Sequence, residues 1–427
     1  MRVFTCGNTF RTIKAIDMKI ALLTLGTRGD VQPYAVLGRA FAEHGHEVTL
    51  STGNNFASMA QEYGVQFIPV QADFQALINS DEGKAMMKNV FLARKHFATT
   101  VQPMMIEALK IFFDVAKGSD CVLYHAKSLG DFFADQFPEK MMRANVVPAL
   151  EPTSEFPNPV FSALPLPRFL NRFTYKLADL GLAMMNQAIR EFRISSSLSS
   201  TVPKRLDLPS VYGISPSFLP KPSDFPADSY FTGFWQSHTS QSLDSETINF
   251  LSSKKENVLV TFGSMPFETK FDLQQTLQTL SKKLNVNVLI VKGWGFENVP
   301  SYNENDSVKF IETAPFDKLI PKVNAVVFHG GIGTMSECLR AGVPFLACPV
   351  IYPMGDQHFW GKRAHELGCS PLPIPLKKLT EESLIQKVSE LLTSKFYKNN
   401  AVRLASQLAS ENGIKNTIRI VESHFSL

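Results

Sequence analysis

The sequence predicts an α/β protein made of two Rossmann-like domains whose parallel sheets face a central cleft. Short apolar runs alternate with amphipathic helical segments along nearly the whole chain, the pattern of repeated βαβ units. Glycine-rich turns follow strand-like runs in both halves, at Gly26–Pro33 and at Gly330–Gly333. Prolines crowd between the halves, at 152, 157, 159, 165 and 167 and again at 216, 220, 222 and 226. Ligands of open parallel sheets bind beyond the carboxyl ends of strands, so both turns should face one cleft.

The first strand is read at Ile20–Leu25, and a helix follows it with Val36, Leu37, Ala40 and Phe41 on one face, stopping at Gly45. Glu47–Ser51, Val65–Val70 and Cys121–Tyr124 read as further strands, whereas 151–219 reads as insertion and connector. The second half repeats the alternation at Val258–Phe262, Val286–Val291, Val308–Ile311, Ala325–Phe328 and Phe345–Cys348. The reading is an extension at 1–17, an acceptor-binding domain at 18–220 and a linker at 221–245. A nucleotide-sugar-type domain with C-terminal helices fills 246–427, and its last helix is a candidate to pack back on the first domain.

Length and composition narrow the function classes. A chain of 427 residues holds two or three domains, and 44% hydrophobic with 19% charged residues is a globular balance. The formal charge of +4 carries no basic block, so nucleic acid is not an implied partner. Five cysteines without a Cys-x-x-Cys pair indicate neither a disulfide framework nor a zinc knuckle; reduced thiols in a cytoplasmic interior are expected. No apolar run approaches the ~20 residues of a membrane helix, so membrane contact would be peripheral at most. The 34 phenylalanines exceed what a core alone requires and fit an apolar pocket.

The most informative stretch runs from Ala325 to Pro344. A strand ends at Phe328, Gly330, Gly331 and Gly333 make the turn, and a helix opens near Thr334. Glycines let a ligand approach the backbone, and a helix N-terminus offers free N–H groups, which together form a diphosphate cradle. His329 can add a hydrogen bond or partial positive charge, and Glu337 is placed to accept from ribose hydroxyls. Downstream, Asp356 and Gln357 follow a strand and open a helix, a carboxylate beside an amide that suits the hydroxyls of a sugar ring. Taken singly these features are ordinary: glycine turns are common, and Asp356 could simply cap its helix.

In order over some forty residues they resemble the donor signature of the GT-B nucleotide-sugar glycosyltransferases. Pro315-Phe-Asp-Lys-Leu-Ile-Pro-Lys-Val, His329-Gly-Gly-Ile-Gly-Thr and Gly355-Asp-Gln-His-Phe-Trp-Gly follow the branch of sterol glucosyltransferases and bacterial antibiotic or lipid glycosyltransferases. The resemblance implies that His329 and the backbone from Gly331 through Gly333 to Thr334 hold a diphosphate, with Ser264 helping. It likewise implies that Glu337 holds the ribose, that Asp356 and Gln357 hold the hexose, and that no metal or other cofactor is needed. Lys318 stands where the branch commonly has an aromatic residue, and Thr313 where plant relatives place a base-stacking tryptophan. UDP-glucose is the favoured donor, with the choice between uracil and thymine open.

Gly26-Thr-Arg-Gly-Asp-Val-Gln-Pro33 resembles the same branch's N-terminal motif, which makes Asp30 the candidate catalytic base. A carboxylate beside an acceptor hydroxyl takes its proton as the bond to the anomeric carbon forms, and a single such base suffices for inversion. Asp30 could instead cap its helix or pair with Arg28. His125, after the strand at 121–124, is a candidate acceptor contact, although a lone histidine is more often structural. Phe74, Phe91 and Phe156 lead a group of Phe and Met residues expected to line an apolar acceptor site for a sterol, terpenoid, polyketide or lipid. Rival readings are a nucleotide-sugar-binding protein without transfer and a sugar-nucleotide epimerase.

Overall fold

Runs of Val, Ile and Leu bounded by glycine or polar residues become buried parallel strands here, because helices cover both faces of each sheet. The computed structural model describes residues 18–71, 97–236, 241–263, 269–293 and 307–425. The first sheet contains β1 (Lys19–Leu23), β2 (Glu47–Gly53), β3 (Gln66–Val70), β4 (Cys121–Tyr124), β5 (Met141–Asn145), β6 (Ser210–Tyr212) and β7 (Ser229–Phe231). All its pairings are parallel, in the order β3-β2-β1-β4-β5-β6-β7. The second contains β8 (Asn257–Thr261), β9 (Asn287–Val291), β10 (Val308–Ile311), β11 (Ala325–Phe328) and β12 (Phe345–Ala347), parallel in the order β10-β9-β8-β11-β12.

The helices among the described residues are α1 (Arg28–Glu43), α2 (Ala57–Tyr63), α3 (Gln102–Lys117), α4 (Asn171–Leu182), α5 (Asn186–Ser195) and α6 (Ser245–Leu251) in the first part of the chain. Then come α7 (Leu273–Leu284), α8 (Phe316–Leu319), α9 (Ile332–Ala341), α10 (Gln357–Glu366), α11 (Glu381–Thr393), α12 (Lys395–Leu408) and α13 (Gly413–Phe425). In each sheet the strand order reverses direction beside the first strand, between β1 and β4 and between β8 and β11. The loops leaving the carboxyl ends of those four strands therefore flank two switch points, where an open α/β sheet leaves a crevice.

Three strands escape the sequence reading. β5 reads Met-Met-Arg-Ala-Asn, and its buried Arg143 is satisfied by Asp131, which accepts from Nη2 at 2.7 Å and Nε at 2.9 Å, and by the Leu206 and Leu208 carbonyls. β6 and β7 are three residues each and sit among prolines, with no hydrophobic run to betray them. β6 lies in the stretch read as insertion and β7 inside the expected linker, so the first sheet extends to Phe231 and the boundary at 220 moves past it. The first helix also begins earlier than expected, at Arg28, which places Asp30 in its opening turn and Pro33 inside it.

The last helix belongs to the first domain. Ile418 and Val421 of α13 join a buried cluster with Leu22, Phe41 and Val48. Trp235 Nε1 donates to Thr417 Oγ1 at 2.8 Å, and His46 Nε2 lies 3.1 Å from Glu422 Oε1. The two crossings between domains touch: a Cβ at Gly413 would fall 2.4 Å from the Gly233 carbonyl oxygen. Ile418→Ala should therefore destabilise the first domain by about 2–5 kcal/mol, the usual cost of truncating a fully buried aliphatic side chain. Urea unfolding followed by circular dichroism measures it; an unchanged midpoint would mean that α13 does not hold that domain together.

Candidate active site in the interdomain cleft

Asp30 is aimed by its own turn. α1 opens with Thr27 as N-cap, and the Asp30 carboxylate folds back so that Oδ2 accepts from the Thr27 N–H at 3.0 Å. Gly26 makes this possible: its φ is +136°, and a Cβ there would lie 2.2 Å from Asp30 Oδ2. Arg28 does not pair with Asp30; it donates to Gln32. The partner of the other oxygen is Lys127, whose Nζ donates to Oδ1 at 2.7 Å from the loop after β4. Burial by itself pushes the Asp30 carboxyl up, but the Lys127 charge, nearby His125 and the hydrogen bonds outweigh it and hold the carboxyl below the ordinary carboxylate range. The expected capping role is thus real, and it coexists with a carboxylate kept ionised at the sheet's switch point.

His125 shares that loop. Its Nδ1 accepts from the Lys127 N–H at 3.1 Å, which leaves the proton of the neutral ring on Nε2. Tyr34 packs against the imidazole edge-on with centroids 6.2 Å apart, and Asn145 Oδ1 accepts from the Ala126 N–H. Burial lowers the imidazole to about 4, against the pull of Asp30, so His125 is neutral at neutral pH. Sequence reasoning singled out His125 and missed Lys127, two residues on, because a lone exposed lysine carries no pattern.

The glycine-rich turn after β11 is an open seat. α9 starts at Gly331 without a side-chain cap, so the first N–H groups of the helix have no side-chain partner there. A Cβ on Gly333 would meet nothing within 4 Å, whereas one on Gly331 would fall 2.4 Å from His329 Nε2. Gly330 needs its positive φ of 89° to turn the chain. Gly333 is exposed and Thr334 half-buried at the helix start. His329 is half-buried, and desolvation lowers its imidazole to about 4, so the ring is neutral at neutral pH. Its Nδ1 has no hydrogen-bond partner among the described residues. Glu337, one turn into α9, is fixed by Arg340, whose Nη2 donates to Oε2 at 2.7 Å.

Asp356 and Gln357 stand where α10 begins. Asp356 makes no capping bond; Oδ2 instead accepts from the Trp360 indole N–H at 2.8 Å. Burial pushes its carboxyl up, Lys127 and Trp360 pull it back, and Asp30 across the cleft adds to the rise. Gln357 Oε1 accepts from the N–H groups of Val350 and Ile351 at 2.8 and 3.2 Å, which leaves the amide nitrogen to donate. The first domain reaches this point directly: Gly355 N–H donates to the Val160 carbonyl at 2.9 Å. Phe156 packs its ring on Phe359 of α10 with centroids 5.2 Å apart. Phe156, expected in the acceptor pocket, is thereby engaged in joining the two halves. Met105, in the same group, is buried in a first-domain core cluster. Ser264, Phe74 and Phe91 lie outside the described residues. Among the described residues no three His, Cys, Asp or Glu side chains gather in a metal-binding group.

The structure thus brings Asp30, His125 and Lys127 from one sheet opposite His329, Gly331, Gly333, Asp356 and Gln357 from the other, with Lys127 and Asp30 within electrostatic reach of Asp356. Residues 20–127 match the glycosyltransferase family 28 N-terminal domain, and residues 290–422 match the erythromycin biosynthesis protein CIII-like C-terminal domain. A sterol 3-beta-glucosyltransferase of Arabidopsis thaliana is 26% identical over 95% of this chain and 66% of its own length. An O-mycaminosyltylonolide 6-deoxyallosyltransferase of Streptomyces fradiae is 27% identical over 95% of this chain and 97% of its own. The chain spans about two thirds of the plant relative, and only 28% and 27% of two fungal sterol 3-beta-glucosyltransferases. The crystal structure of the kitacinnamycin glycotransferase superposes with a TM-score of 0.70 at 18% identity, covering 96% of this chain and 99% of that one. In fold, in both domain matches and in its relatives, the chain is similar to GT-B glycosyltransferases, among them sterol glucosyltransferases and antibiotic glycosyltransferases.

Proposed function

We propose that the protein transfers a hexose from a UDP-sugar, with glucose the first choice, to a hydroxyl of an apolar acceptor, and that the transfer inverts the anomeric configuration. The observation that carries this reading is Asp30, bonded to the Lys127 ammonium and within electrostatic reach of Asp356 of the second domain, whose α9 begins without a side-chain cap. In the step envisaged, the acceptor hydroxyl gives its proton to Asp30 as its oxygen attacks the anomeric carbon. The bond to the diphosphate breaks on the opposite face, and the leaving group keeps the electron pair. The N-terminus of α9 offsets the charge that develops there, so the reading requires no metal ion. The unpartnered His329 Nδ1 supports a ligand-completed hydrogen bond at this end. Asp356 Oδ1 and the Gln357 amide nitrogen are placed to take hexose hydroxyls, and Glu337, oriented by Arg340, to take the ribose. Thr313 is exposed just beyond β10 and offers no aromatic platform, so the base is read by backbone and shape in this proposal.

Asp30→Asn should abolish transfer while leaving donor affinity within about twofold, since general bases contribute roughly 10²–10⁴-fold. Donor titration by calorimetry and product formation by mass spectrometry, with a panel of nucleotide sugars and apolar alcohols, separate the two effects; equal turnover in variant and parent removes Asp30 from the mechanism. A panel in which the parent consumes donor only without adding a hexose to any alcohol would favour the epimerase or binding readings.

Lys127 gives the proposal its pH dependence. A carboxyl held low by a cation is ionised down to acid pH, so activity should persist to the acid side and fall as pH drops through the lowered value. Lys127→Met removes the counter-charge and leaves only His125 and the Thr27 N–H against burial, which raises the Asp30 carboxyl. The acid limb of kcat/KM should move up by about one to three pH units, whereas Lys127→Arg should keep it close to the parent. Superimposable profiles in all three proteins would mean that Lys127 does not set the base.

A further inference from the structure

Helix α4 is packed inside out. Its buried residues are Asn171, Thr174 and Tyr175, and two of them are held by hydrogen bonds rather than by apolar contact. Asn171 Nδ2 donates to the Ser154 carbonyl at 2.8 Å, and Thr174 Oγ1 accepts from the Asn158 N–H at 2.7 Å. The opposite side of α4 carries Phe173 and Leu180, and the single 3-10 turns that flank the helix continue the stripe with Phe169 and Met184; the four, in chain order, are exposed by 82%, 49%, 69% and 49%. These positions recur at spacings of four, seven and four, the period of one helical face. A soluble helix ordinarily turns such a stripe inward, and four neighbouring large apolar side chains in water call for an occupant.

We propose that this face docks on a lipid bilayer surface that contains anionic headgroups. Charge chooses the lipid surface over a second protein copy. Arg168, Arg172 and Lys176 are exposed along one border of the stripe, and Arg205 approaches Asp179 on the same helix. Arg172 is tied to Asp224 at 3.2 Å, which leaves Arg168 and Lys176 as the cations free of salt bridges among the described residues. Aromatic and aliphatic side chains enter the headgroup boundary while lysine and arginine meet phosphate, the usual composition of an interfacial helix. The position in the fold gives the docking a purpose. Asn158, which α4 anchors, precedes Val160 by two residues, and the Val160 carbonyl accepts from Gly355 beside the hexose-side carboxylate. The stripe is thus one short loop from the cleft, so a docked enzyme faces the layer in which an apolar acceptor is dissolved. The docking itself does not depend on the transfer reading.

Vesicle flotation with the full chain tests it, using phosphatidylcholine vesicles with and without 30 mol% phosphatidylserine as an on-the-order-of physiological anionic content. The parent should float with the anionic vesicles and release in high salt. A variant carrying Phe169→Ser, Phe173→Ser and Leu180→Ser should bind at least tenfold more weakly, and Arg168→Glu with Lys176→Glu should lose the preference for anionic vesicles. Because all five side chains are exposed, each variant should keep the parent's circular dichroism spectrum, donor affinity and turnover of a water-soluble acceptor. Absence of parent binding to either vesicle overturns the proposal, as does equal binding by the triple variant. Light scattering that shows a parent dimer reduced to monomer by the triple substitution overturns it too, and assigns the face to a second copy. A protein that floats but transfers no hexose would keep this proposal and sink the transfer reading, so the two fail separately.

Discussion

Two carboxylates confront each other across the cleft, and Lys127 stands between them. Like charges brought together out of water repel, the more so where the surroundings are poorly polarisable. Asp30 belongs to the first domain and Asp356 to the second, so the closed arrangement needs a cation at the point of meeting. Lys127 supplies it from the loop after β4, bonded to Asp30 at 2.7 Å and acting on Asp356 through space. The N-terminus of α9, which has no side-chain cap, adds a positive dipole end to the second domain. The two carboxylates are thereby coupled through a single ammonium group.

That lysine is there because of topology. Each sheet places its first strand beside its fourth, and the loops after these four strands meet at the same end of the molecule. The loop after β1 carries Asp30 and the loop after β4 carries His125 and Lys127; opposite them, β8 leads to Gly263 and β11 to His329. The glycines serve this convergence. Gly263 has a φ of +69° and would press a Cβ to 3.0 Å from His329 Cε1, just as Gly26 would press one into Asp30. Wherever a side chain with chemistry turns back on its own loop, a glycine has given up the space.

This end of the molecule was largely legible in the sequence. Long apolar runs such as Val258–Phe262 and Ala325–Phe328 declare strands, and the glycine turn with its Asp-Gln sequel carries a recognisable order. The short strands β6 and β7 were not legible, since three residues among prolines cannot show a period. Nor was β5, where a buried arginine is tolerated through Asp131 and the carbonyls of Leu206 and Leu208, residues remote enough that no local pattern links them. Lys127 was invisible for the same reason: its role depends on a contact between residues 97 positions apart. The phenylalanines misled in a different way. Composition says that aromatic surface is plentiful, yet only packing distinguishes Phe156 on Phe359 from Phe169 in open solvent.

The two acids also divide their labour by environment. Asp30 is buried and Asp356 half-buried, and desolvation raises either one; what differs is the company. Asp30 has a lysine at hydrogen-bond distance and a backbone N–H, so its folded value lies below the ordinary 3.8. Its ion pair contributes stability above that ordinary value, and the contribution is lost as pH falls through the lowered one. Asp356 has one indole N–H and a more remote lysine, so its folded value is raised, and above that value its charge costs stability. A carboxylate pushed down stays ready to accept a proton at the acid edge of the working range, while one pushed up forms strong hydrogen bonds to hydroxyls that replace its lost water. Splitting two like groups in this way is how one cleft assigns them different tasks.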